Sequence, residues 1–145
     1  MQADIWKQGL KSMHKIKAML TLKNLFIFNS LVAFSYGLGA LFVPAVVMST
    51  YGLTLNPAGE LMTSFYAAEL IAHGWMTWNT RNAVTSEART AILSSRSIGN
   101  TIRSVVAIAF MLSGQANLRA LTIIGLFAFF ALAYAYFWLV KPDAV

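Results

Sequence analysis

Four long apolar stretches fill most of this chain, and its charges fall almost entirely between them. Ile27 to Met48 and Leu121 to Val140 carry no charge at all. Leu61 to Trp78 is apolar apart from Glu69 and His73, and Ile98 to Leu112 apart from Asn100 and Arg103. A bilayer core about 30 Å thick is crossed by about 20 apolar residues in helical form. The pattern therefore predicts an all-α integral membrane protein. Its four spanning helices are expected near 25–50, 57–80, 90–113 and 118–140, packed as an antiparallel four-helix bundle because the connections are short.

Composition agrees with that solvent. Only 11% of the residues are charged, against about 25% in a soluble globule. There are no cysteines, so disulfides, thiolate metal sites and iron–sulfur clusters are excluded. The net charge of +6 reflects basic flanks facing anionic headgroups rather than nucleic acid. The first apolar stretch is longer than the 7–15 residues of a signal h-region, as such regions run to about that length, and it continues through Pro44. It is expected to stay in the mature protein.

Two organisational units follow. Residues 1–23 form a basic amphipathic segment and 24–145 the membrane bundle. In the first, Trp6, Leu10 and Met13 recur at helical spacing, while Lys7, Lys11 and Lys15 occupy another side. A helix of this kind over 4–20 lies in the membrane interface, with Trp6 and the lysines as anchors. Trp75, Trp78 and Trp138 mark aromatic belts at span ends. The basic residues sit before the first span and between the second and third, which predicts cytoplasmic N and C termini.

Local signals refine the spans. Ala33, Gly37 and Ala40 share one helix face and permit close helix approach. Pro44 is placed to kink the first span near its far end. Asn56 with Pro57 reads as an N-cap followed by the first helical residue. Ser113 to Asn117 is a tight turn.

The intramembrane polar residues carry what functional information there is. Glu69 and His73 are four apart and share a helix side, facing the bundle or a partner. Arg103 is the expected counter-charge for Glu69, with Asn100 on the same stripe. Arg89 and Arg96 are expected to reach the headgroups. Three readings of this network stand open. In one it is structural, with Glu69, Arg103, His73 and Asn100 pinning the bundle. In the second, His73 ligates a tetrapyrrole, chlorophyll or haem, in a slot beside Ala72 and Gly74. In the third, Glu69 and His73 serve a proton or ion path. Two ligands fall short of the four a closed metal site needs, so no metal is expected. No nucleophile–base arrangement is visible, so no catalytic residue and no enzyme activity is expected.

Leu38-Gly39-Ala40-Leu41-Phe42-Val43-Pro44, then Tyr51-Gly52-Leu53 and Pro57-Ala58-Gly59, resemble the pattern of small bacterial four-span membrane proteins, loosely DoxX-like, over about residues 37–80. The resemblance implies residence in a bacterial inner membrane. DoxX-type relatives are linked to respiratory or redox complexes, but the resemblance brings no active-site residues with it. Taken together, the sequence is read as a non-catalytic accessory or assembly subunit of a larger membrane complex, with lipid and other membrane subunits as partners. A cofactor-binding subunit is the alternative and a small transporter the second.

Overall fold

The computed structural model describes residues 21–82 and 86–140. The expected interfacial helix with Trp6, Lys7, Lys11 and Lys15 lies outside the described residues. Among those described, the regular structure is entirely helical.

Helix α1 runs Leu22–Phe42. Thr21 caps it, its hydroxyl accepting from the Asn24 amide at 3.2 Å, which satisfies a donor that the first turn leaves unpaired. The helix stops where it does because of Pro44. A proline disfavours the helical region for the residue before it, and Val43 leaves the helix at φ −139°, ψ 58°. A separate short helix, α2, then covers Pro44–Ser49 with the proline in its first turn. The single kinked span expected over 25–50 is thus two helices with a break at Val43.

Helix α3 spans Pro57–Thr80. Its start is the expected one: Asn56 accepts from the Gly59 amide at 2.8 Å, and Pro57 occupies a position whose missing N–H costs nothing. Helix α4 covers Ser86–Leu112 and α5 covers Ala120–Ala135, the latter continued by a π-helical segment over Tyr136–Val140. Among the described residues, two stretches are long and apolar enough to cross a membrane, Leu22–Phe42 and Ala120–Val140.

The contacts between helices fix their directions. Along α1, residues Asn29, Ala33 and Gly37 meet Thr77, Gly74 and Ile71 of α3 in turn, so the two run antiparallel. A Cβ on Gly37 would lie 2.7 Å from the Ile71 side chain and 3.1 Å from the Ala67 carbonyl, so the absence of a side chain sets this close approach. His73 and Tyr66 of α3 meet Arg96 and Arg103 of α4. The Ser97 hydroxyl of α4 donates to the Ala131 carbonyl of α5 at 3.1 Å.

Three tiers follow one another along these helices. At one end, Leu22, Leu25, Phe26, Leu93, Phe130, Tyr134 and Phe137 form an apolar core rich in rings, with the Tyr134 ring against those of both Phe26 and Phe130. The middle tier sets a group of polar side chains among apolar ones. At the far end the two loops are clasped together. The Asn117 amide donates to the Tyr51 carbonyl at 2.9 Å, and its side chain donates to the Thr50 carbonyl at 3.1 Å. Gly52, at φ +81°, permits that approach, since a Cβ there would meet the Asn117 side chain at 3.2 Å.

Candidate functional site: a cationic cavity between the helices

The middle tier encloses a cavity of about 70 Å³. Its polar lining comes from several elements: Asn29 and Tyr36 on α1, Tyr66 and His73 on α3, and Arg96, Asn100 and Arg103 on α4. Periodicity explains the contribution of α4. Residues 96, 100 and 103 lie three or four apart and so share a side.

Arg96 is only 6% exposed. One of its terminal nitrogens donates to the His73 carbonyl at 3.1 Å, while its Nε is buried without a hydrogen-bond partner. Arg96 was expected to reach the headgroups, but position 96 faces α3 at His73, and its side chain turns inward. Asn100 donates to the Arg96 carbonyl at 2.8 Å. Arg103 lies 5.7 Å above the Tyr66 ring, a cation–π contact. The Thr77 hydroxyl donates to the His73 carbonyl and stands 3.4 Å from the Asn29 side-chain oxygen. At the edge of the cavity the Tyr51 hydroxyl donates to that of Tyr36 at 3.1 Å. Burial, reinforced by this hydrogen bond, pushes the Tyr51 hydroxyl up in pKa.

The expected Glu69–Arg103 pair does not form. Glu69 lies 3.8 Å from His73 Nε2, but its side chain is 69% exposed. The inward side of α3 is centred on Tyr66, Leu70, His73 and Thr77, which leaves Glu69 at its edge, turned outward. Of the expected room beside His73, the Gly74 side is packed, while Ala72 is exposed. A Cβ on Gly74 would meet Ala33 and Phe34 of α1 at 3.2 Å, so this glycine serves helix packing. Of the expected anchors, Trp75 is exposed, Trp78 carries Arg81 over its ring at 4.1 Å, and Trp138 packs against the apolar core. Sequence reading overlooked Asn29, Tyr36 and Tyr66. Their polar groups inside apolar runs were the available signal.

The electrostatics are one-sided. Arg96, Arg103 and His73 line the cavity, and among the described residues no carboxylate does. No group of three or more His, Cys, Asp or Glu comes together among them either. Within walls that are otherwise largely apolar, the polar groups on offer are positive charge and the hydrogen-bonding side chains of Asn and Tyr. A second hollow, of about 380 Å³, adjoins the first. The two share Met48, Tyr51, Tyr66, Arg103, Ile123 and Phe127. Its remaining walls are apolar, among them Ile102, Val106 and Phe110 of α4.

Comparison with family models, curated proteins and solved structures gives no match.

Proposed function

We propose that the chain is a multi-pass protein of a bacterial inner membrane. In this reading α1, α3, α4 and α5 cross the bilayer as a four-helix bundle with both termini cytoplasmic, and the protein acts as a non-catalytic accessory or assembly subunit of a larger membrane complex. The observation that carries the membrane reading is the inverted arrangement of α4. From Arg96 onward its buried residues are polar, Arg96, Ser97, Asn100 and Ser104, after Arg89 and the apolar Leu93, whereas its exposed residues from Ile98 onward are mainly apolar, Ile98, Ile102, Val105, Val106, Phe110 and Leu112, with Thr101 among them. Water would penalise that distribution on both counts, since it hides polar groups and wets apolar ones. Hydrocarbon favours it. The exposed apolar side chains continue on Leu31, Phe42, Phe65 and Leu132, which supports a surface covered by lipid or by other membrane helices. The clasp between the α2–α3 and α4–α5 connections supports placing both loops on one side of the membrane.

Compartment-sensitive reporters fused at residues 53, 83, 115 and 145 test the topology. The expected signals alternate, with 83 and 145 cytoplasmic, and fewer than four crossings overturn the reading. Purification in mild detergent tests the subunit role. Stoichiometric co-purifying membrane proteins are expected, and a chain isolated alone from every preparation overturns it.

The competing reading, a tetrapyrrole on His73, draws support from the buried, unpartnered Nδ1 of that residue. A cavity of about 70 Å³ is small for it, since small-molecule sites run to about 300–1,000 Å³. The absorption spectrum of the same preparation separates the two. A colourless protein is expected, and a stoichiometric pigment lost in His73→Leu reverses the choice.

A further inference from the structure

The cavity and the hollow beside it have complementary characters. The cavity concentrates two guanidinium groups and an imidazole with no carboxylate among its described lining residues. Arg96 is more than nine-tenths buried, and its Nε is unpartnered. A buried cation without a counter-ion is costly, and an arginine's planar fork suits an oxyanion. About 70 Å³ is the space of a few waters and holds one such group. The hollow is larger and walled by aliphatic and aromatic side chains, with Val106 and Phe110 exposed at its rim. Arg103, Tyr66 and Tyr51 line both spaces, so the charged end and the apolar end adjoin across these side chains.

We propose that the two together form a binding site for an anionic membrane lipid. Its phosphate sits in the cavity against Arg96 and Arg103, and an acyl chain lies in the hollow beside α4. This rests on the membrane reading above and assigns a ligand class within it. Charge complementarity selects an anionic head over a zwitterionic one. The adjoining apolar hollow selects a lipid over a free phosphate, which would leave that hollow unfilled.

The test uses the full chain purified in mild detergent. Native mass spectrometry with lipid extraction should find about one anionic phospholipid per chain. After delipidation, phosphatidylglycerol should raise the melting temperature, while phosphatidylcholine and inorganic phosphate should not. Arg96→Gln should weaken phosphatidylglycerol binding about ten- to hundredfold, the range expected for hydrogen bonds to a charged group, and Arg96→Lys should recover part of that loss. Val106→Trp, which fills the hollow at its rim, should weaken lipid binding without changing helix content. Equal response to phosphatidylcholine overturns the anionic head. Response to inorganic phosphate alone overturns the lipid source. A neutral isoprenoid such as a quinone found in place of phospholipid overturns both. Unchanged binding in Arg96→Gln and Val106→Trp removes the site. None of these measurements reads topology, so a chain that crosses the membrane four times yet binds no anionic lipid sinks this proposal alone.

Discussion

Helices α4 and α5 pack side by side, and they solve the same problem in opposite ways. The Ala120–Val140 stretch is apolar on every side, so its membrane compatibility shows in composition alone. Helix α4 carries Arg89, Arg96 and Arg103 and fails that simple criterion. Over its second half, however, its exposed side is mostly apolar like that of its neighbour: Val105 is 60% and Leu132 73% exposed. Average hydropathy sums over both sides of a helix and so describes a helix standing alone. Helix α4 does not stand alone. Its polar side is turned toward α3 and α5, where Arg96 meets His73 and Ser97 meets Ala131. The difference teaches that α4 depends on its neighbours for a tolerable environment, whereas α5 does not.

The largest expected effect comes from the outer surfaces. If both helices face hydrocarbon, as proposed, Val105→Asp and Leu132→Asp should cost about the same, roughly 2.5–3.5 kcal/mol on insertion scales. The amount of correctly inserted protein measures this. A harmless Val105→Asp beside a damaging Leu132→Asp would mean that the outside of α4 is wet. The next effect concerns the inner side. Arg96 is buried with no carboxylate beside it, so Arg96→Met should stabilise the delipidated protein by about 1–2 kcal/mol, as removal of poorly compensated buried charge commonly does. Thermal unfolding in detergent would register the gain. A loss instead would recast Arg96 as a structural pin whose bond to His73 holds α3 and α4 together.

Smaller changes sharpen the picture further. Ser97→Ala removes one hydrogen bond between α4 and α5 and should cost about 0.6 kcal/mol, the average for such bonds between membrane helices. A cost several times larger would show that α4 depends on α5 more than its packing implies. The smallest expected effect is a coupling near zero. Glu69→Gln and Arg103→Met should be additive within about 0.5 kcal/mol, because Glu69 is turned outward and Arg103 lies over Tyr66. A clear interaction energy in a double-mutant cycle would restore the pairing that the positions suggested in sequence.

What was legible in the sequence is local. The Asn56–Pro57 start of α3, the break near Pro44 and the small residues of α1 each depend on chemistry within one turn, or on one side of one helix. The cavity depends on how helices rotate and slide against one another. Glu69 and His73 are four apart, yet only His73 reaches the interior, because the inward side of α3 is set by Tyr66, Leu70 and Thr77. Likewise Arg96 and Arg103 are seven apart and nearly equivalent on a helical wheel. Which of them is the more deeply enclosed follows from the registry of α4 against α3, and a single sequence does not encode registry in its spacing.

The bonds from Asn117 to Thr50 and Tyr51 join residues separated by nearly half of the polypeptide. If the chain is threaded into a membrane as it is synthesised, as the proposed topology requires, α1 to α3 arrive first. The Thr50 and Tyr51 carbonyls then wait in water until α4 and α5 follow. A second hairpin inserted upside down would carry Asn117 to the opposite surface of the bilayer, beyond reach of its acceptors. Under the topology proposed above, the clasp acts as a proofreader of orientation. It rewards only the arrangement in which both hairpins have turned on the same side, and it does so at the last step of assembly.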